Sequence, residues 1–110
     1  IDNLRVVYPE VTTIFPLAVK TVPSRLQLNQ NYPNPFNPRT TIEFFTPKSG
    51  KVRLDIFDVL GRKVSTLFNR KLSAGRHRTK WDGSGFASGI YYCRLRLGPI
   101  TRVSKMLLIK

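Results

Sequence analysis

The chain has 110 residues, 41% of them hydrophobic, and carries 19 lysines and arginines against 6 acids, a formal net charge of +13. That length makes one domain with a core of its own, and no apolar run approaches the roughly 18 residues of a membrane-spanning helix. A single cysteine, Cys93, excludes an internal disulfide, and a single histidine, His77, excludes a histidine metal cluster or a histidine charge relay assembled from this chain alone. The first residues do not read as a secretory leader, and a start at Ile1 rather than Met reads as processing or as part of a longer protein. The charge is one-sided. Residues 1–58 hold seven Lys/Arg against five Asp/Glu, and residues 59–110 hold twelve against one, Asp82. Such a field suits anionic partners such as nucleic acid, lipid headgroups or acidic polysaccharide, and equally serves solubility or an acidic neighbour.

Residues 1–23 alternate loosely (Leu4, Val6, Tyr8, Val11, Ile14, Leu17, Val19, Val22) and are broken by Pro9, Pro16 and Pro23. β-branched content argues for extended chain, and the prolines confine it to an edge or linker. Residues 1–25 are therefore expected to form an extended arm, able to add as a strand to a neighbouring copy, and residues 26–110 the folded domain.

Leu26 and Leu28 lead into Asn31-Tyr32-Pro33-Asn34-Pro35-Phe36-Asn37-Pro38-Arg39-Thr40, which holds three of the eight prolines. Proline donates no backbone hydrogen bond and forces its predecessor to be extended, while Asn bonds its own nearby backbone. This stretch is expected to be a stiff, irregular crossing with Asn34 and Pro35 turning the chain and Tyr32 and Phe36 pinning it to the layer beneath.

Strands follow at regular spacing. Thr40–Pro47 places Ile42 and Phe44 on one face and Glu43 on the other. After the turn at 48–50, Lys51–Asp58 sends Val52, Leu54 and Ile56 inward and Arg53 and Asp55 outward. Asp58-Val59-Leu60-Gly61-Arg62 is the clearest turn: Asp58 accepts backbone N–H bonds and Gly61 supplies a positive φ. Arg62–Phe68 carries Val64 and either Leu67 or Phe68 inward. Gly75 turns the chain into Arg76–Trp81, with Arg76, Arg78 and Lys80 on one face and His77, Thr79 and Trp81 on the other. Asp82 and Gly83 open the next loop. Ile90–Leu97 buries Tyr91, Cys93, Leu95 and Leu97 and exposes Arg94 and Arg96; Gly98-Pro99 breaks it, and Thr101–Lys110 is the last strand. Six or seven short strands with turn chemistry between them predict an all-β, immunoglobulin-like β-sandwich of about seven antiparallel strands, with Trp81 in the core.

No constellation suits catalysis. His77 reads as a half-buried ring, Asp55 and Asp58 face opposite sides of a strand, and no glycine-rich loop precedes a helix, so no cofactor is implied. Cys93 reads as a small buried apolar residue. Arg76, Arg78 and Lys80 form a basic stripe that Arg94 and Arg96 could extend from a neighbouring strand. One ring beside it, Tyr92, is too little for a nucleic-acid reader.

The Asn/Pro stretch, then Thr41-Ile42-Glu43-Phe44, Gly50-Lys51-Val52, Asp55 to Val64, Ala74-Gly75-Arg76-His77, Trp81-Asp82-Gly83, Ser88-Gly89-Ile90-Tyr91-Tyr92 and the closing Lys105-Met106-Leu107-Leu108-Ile109-Lys110 together resemble one family. They are similar to the type A C-terminal sorting domain of proteins exported by the bacterial type IX secretion system, over about residues 26–110. The middle of the chain is also similar to the immunoglobulin-like domain of the flagellar hook-capping protein. The strongly basic second half and Cys93 depart from the family pattern.

The resemblance implies a non-catalytic domain ending a secreted protein of a Gram-negative bacterium. It would direct a passenger from the periplasm through an outer-membrane translocon to the cell surface, where passengers are commonly anchored to lipopolysaccharide. It also implies that the recognition element is the last two strands, with Gly89, Tyr91, Leu95, Lys105, Met106 and Lys110 meeting the translocon and attachment machinery. Deleting the last six residues is expected to block export without unfolding the core. The competing expectation is a subunit of an extracellular filament or surface layer, a homo-oligomer joined through residues 1–23.

Overall fold

The computed structural model describes residues 25–110; the expected arm over residues 1–23 lies outside the described residues. The elements are β1 (Gln27–Leu28), β2 (Arg39–Thr46), β3 (Gly50–Asp58), β4 (Lys63–Leu72), β5 (Gly75–Asp82), β6 (Gly89–Leu97) and β7 (Ile100–Leu108). All pair antiparallel, in a three-stranded sheet of order β1-β2-β5 and a four-stranded sheet of order β4-β3-β6-β7. The two sheets form the predicted sandwich.

The core follows from alternation. Val52, Leu54 and Ile56 of β3 and Tyr91, Cys93, Leu95 and Leu97 of β6 point inward beside Met106 and Leu108 of β7. They meet Ile42 and Phe44 of β2, Trp81 of β5, and Leu26 and Phe36 from the preceding segment. Each such side chain, taken fully out of water, contributes about 1.5–3 kcal/mol before chain entropy is set against it.

The hairpin between β3 and β4 forms as its residues dictate. Asp58 Oδ1 accepts the N–H groups of Leu60 and Arg62, the Asp58 carbonyl accepts that of Gly61, and Gly61 sits at φ +82°. β4 runs further than its apolar pattern suggested, through Asn69-Arg70-Lys71, because β3 pairs it to the end, Gly50 opposite Leu72. Register shifts between Leu54 and Asp55 and between Ile56 and Phe57 leave Leu67 and Val64 as extra residues on β4. Bulges on an edge strand bend it and discourage pairing with another chain. They also account for Val64, Leu67 and Phe68 all packing on the core, where strict alternation allows only some of them.

Two expectations are corrected. Tyr32 does not pin the crossing: its ring is 80% exposed. Its backbone bridges Thr41, whose side chain faces outward, and residues directly opposite on paired strands share a face. Phe36 alone anchors the stretch, 1% exposed with its ring centroid 5.7 Å from that of Trp81. Asp55 points outward as its register requires but is not exposed at all, because Arg53, Arg94 and Thr66 close over it.

Candidate functional site: the last strand and its covered edge

β7 lies at the edge of the four-stranded sheet, bonded to β6 on one side only. What happens along its other side is decided by the Asn/Pro crossing. Asn31 is buried, and its Nδ2 donates to Thr40 Oγ1 at 2.9 Å and to the Pro33 carbonyl at 3.1 Å, while the Thr40 hydroxyl donates to the same carbonyl at 2.9 Å. These bonds replace the ladder bonds that the prolines cannot make, and hold residues 31–36 beside β7. Gln30 Nε2 donates to the Lys105 carbonyl at 2.8 Å, and the Leu107 N–H donates to Asn34 Oδ1 at 2.9 Å. Phe36 N–H donates to the Leu107 carbonyl and the Ile109 N–H to the Phe36 carbonyl, a parallel bridge opposite Leu108. Asn34 is thus more than a turn residue, since it terminates the sheet.

The covered stretch ends near Lys105. Outward backbone groups recur at every second residue of a strand, so the series 105, 107, 109 continues to Val103 and Thr101. Val103 has no backbone partner on that side among the described residues, and the Thr101 carbonyl accepts only Arg102 Nη1, at 3.0 Å. Val103 is 59% exposed. Among the described residues the strand therefore has two halves, 105–109 bonded to the crossing and 101–103 without such bonds, although β1 packs alongside.

The six residues expected to meet the export machinery fall into four groups. Tyr91, Leu95 and Met106 are buried in the core, where Tyr91 stands opposite Met106 and its hydroxyl donates to the Ala87 carbonyl at 2.6 Å. Leu95 has β3 on one side and β7 on the other, so neither its side chain nor its backbone reaches the surface. Gly89 opens β6 opposite Leu108, with φ +149°. Lys105 is exposed on the outer face, and with Asn34, Pro35, Ile90, Met106 and Leu107 it borders an apolar hollow of about 280 Å³. Lys110 turns back across the end of the sandwich: its Nζ donates to the carbonyls of Ser84 at 2.7 Å and Phe86 at 2.9 Å, and its N–H to Ser88 Oγ at 3.0 Å.

The loop that Lys110 grips is itself tied to the crossing. Asp82 Oδ1 accepts the Ser84 N–H, Arg39 lies 3.4 Å from the Asp82 carboxylate, and the Gly83 N–H donates to the Pro38 carbonyl at 2.8 Å. A Cβ on Gly83 would lie 2.9 Å from the buried Leu108 side chain, so glycine is needed there for close approach. Gly75, at φ +129°, turns the chain between β4 and β5 as expected.

The basic residues do not form one patch. Arg76, Arg78 and Lys80 lie on β5 in the three-stranded sheet, and Arg94 and Arg96 on β6 in the four-stranded sheet, so they cover opposite outer faces of the sandwich. Arg78 pairs with Glu43 at 2.9 Å; Arg94 lies 3.4 Å from Asp55, with its guanidinium 4.5 Å from the Phe57 ring centroid. Burial alone would raise the Asp55 pKa, but hydrogen bonds from Thr66 and Arg53 and the charges of Arg53 and Lys63 outweigh it and hold the carboxyl below its usual range. The Cys93 thiol is pushed up to about 12 by burial and by the Asp55 charge, so it stays protonated and unreactive. His77 is half-buried against Phe44 and its Nε2 lies 2.7 Å from the Ser73 carbonyl.

Fold and site together define an all-β module whose β7 forms a sheet edge and whose Lys110 is bonded to the 84–88 loop. The family model described as the secretion system C-terminal sorting domain matches residues 30–110, and the chain belongs to this family, the sorting domains of type IX secretion. The comparison with curated proteins gave no match. Membership makes the domain a sorting signal with a non-catalytic role, in contact with the type IX machinery, on a secreted or cell-surface protein.

Proposed function

We propose that residues 26–110 carry a passenger from the periplasm across the outer membrane to the cell surface, and that the translocon reads the domain along β7. The observation that carries this reading is the half of the β7 edge around Val103, whose outward backbone groups have no partner among the described residues and whose side chain is exposed. An incoming strand gains main-chain bonds there, and side chains alternating on the outer face supply selectivity. Lys105 and the apolar hollow beside it adjoin that edge and extend the contact. Lys110 supports the surface by fixing the loop at 84–88, and Tyr91, Leu95 and Met106 support it from the core.

Truncating the last six residues does not separate signal from stability, because it removes Met106 and Leu108, both almost fully buried. Val103→Pro does. Its N–H faces away from β6, so proline removes a donor that the sandwich does not use. Expressed on a secreted passenger, the variant should melt within a few degrees of wild type yet leave the passenger in the periplasm. Normal export of a folded Val103→Pro passenger would overturn the edge-reading proposal.

A further inference from the structure

The outer face of the four-stranded sheet carries a second feature, apart from the edge of β7. At the end away from Lys110, Asn69, Arg53 and Arg96 stand side by side in one row across β4, β3 and β6. In the adjoining row Lys51 faces Lys71. Two like-charged cross-strand pairs thus adjoin on one face, Arg53 with Arg96 and Lys51 with Lys71, and directly opposed like charges destabilise a sheet. A surface that only needs solubility can avoid that cost by alternating signs.

Among the described residues one acid reaches this charge, Asp55, and it offsets Arg53 alone, at 2.8 Å. It is fully buried and already accepts from Arg53 Nε, Thr66 and Arg94. Asp58 lies at the other end of β3, held by Arg62. Among the described residues Lys51 and Arg96 make no side-chain hydrogen bond or ion pair, nor does the Asn69 amide, and the two terminal nitrogens of Arg53 beyond Nε are likewise uncommitted. Lys51, Arg53, Asn69 and Arg96, with Gly98 of the following hairpin, line a hollow of about 280 Å³.

We propose that this hollow is an oxyanion site that binds a phosphate monoester carried on a saccharide. Three cations and an amide donor match a group that carries close to two charges at neutral pH and accepts from several donors at once, and arginine pairs with it through two parallel N–H bonds. The volume lies just below the usual range for small-ligand sites, about 300–1,000 Å³, and leaves room for more than a bare ion. No aromatic ring lines the hollow, so it offers no platform for a nucleobase. The proposal is independent of how β7 is read.

The test is a ¹⁵N amide-shift titration of the full chain with glucose 6-phosphate, with glucose and inorganic phosphate as comparators. Saturable shifts at residues 51–53, 69 and 96–98 are expected, weakened at least tenfold in Lys51→Gln/Arg96→Gln and unchanged in Arg76→Gln/Lys80→Gln on the opposite face, with melting curves establishing that both variants are folded. Shifts that spread over both faces without saturating, or that fall equally in the two variants, would overturn the site; inorganic phosphate binding as tightly as the ester would overturn its saccharide part. Co-sedimentation with phosphatidylcholine vesicles containing phosphorylated glycolipid distinguishes the source. Loss in the first variant alone assigns the ester to a lipid headgroup; no sedimentation of wild type, with the titration positive, assigns it to a soluble saccharide.

Discussion

The ammonium group of Lys110 lies 2.9 Å from the carbonyl oxygen of Phe86, joining the last residue of the chain to a loop residue 24 positions earlier. The Phe86 ring packs on Trp81 at 5.4 Å and on Tyr91 at 6.3 Å between centroids, so the contact ties the C-terminus to the aromatic end of the core. Lys110→Met keeps the apolar stem and removes the donors. It should cost about 1 kcal/mol, the net worth of such bonds at an exposed position, and lower Tm by about 4–8 °C. Hydrogen exchange should speed up at residues 84–88 and not in β3; an unchanged loop would show that the clamp does not hold it.

Asp55 should dominate the acid limb of the stability curve. Its folded pKa is depressed, so its contribution is fully present above the unfolded value near 3.8 and is lost as pH falls through the lower folded value. Asp55→Asn leaves Arg53 and Arg94 facing a neutral partner and should cost about 2–3 kcal/mol at pH 7, discounted from a fully buried pair because both arginines keep some exposure. Urea unfolding from pH 6 to pH 2 should show a shallower acid decline in the variant than in wild type. Parallel declines would assign the acid sensitivity to other carboxylates.

Phe36 and Tyr32 belong to the same ten-residue crossing and should respond in opposite ways. Phe36→Ala removes a core ring and should cost about 3–5 kcal/mol. Against the 0.05–0.15 kcal/mol per residue typical of small domains, that leaves the fold marginal. Tyr32→Ala should stay within about 0.5 kcal/mol, since it removes an exposed side chain. Equilibrium denaturation of the two variants measures both; equal losses would contradict the assigned anchoring.

Gly83→Ala and Gly85→Ala form a second contrasting pair. A Cβ at 83 meets Leu108 and the Pro38 carbonyl, whereas one at 85 meets nothing within 4 Å. The first should cost about 1–2 kcal/mol through crowding of a fully buried side chain, and the second close to nothing. Differential scanning calorimetry of the two proteins checks this.

Much of the fold was legible along the chain because strand alternation and turn chemistry are local. Val52-x-Leu54-x-Ile56 states which way β3 faces, and Asp58 with Gly61 states where it turns, without reference to any other element. What escaped local reading depends on neighbours. Tyr32 looked like an anchor because large rings are usually buried, yet its bridge to Thr41 sets it on the outer face. Asp55 pointed outward on alternation and still lost its contact with water, because Thr66 and Arg94 stand opposite it on the two flanking strands. An Arg-x-Asp pair on one strand was the available hint.

From residue order alone came about seven strands, their turns, a core centred on Trp81 and a resemblance to a sorting-domain family; side-chain identity with its two-residue period suffices for the strands, and the succession of motifs for the resemblance. Only the tertiary structure decided which strands share a sheet. It thereby separated Arg76, Arg78 and Lys80 from Arg94 and Arg96, bonded residues 105–109 to the crossing while leaving Val103 without a backbone partner there among the described residues, and tied Lys110 to the 84–88 loop. Pairing between distant segments is a cooperative choice of the whole chain, made by buried area and satisfied backbone groups together, and no single stretch encodes it.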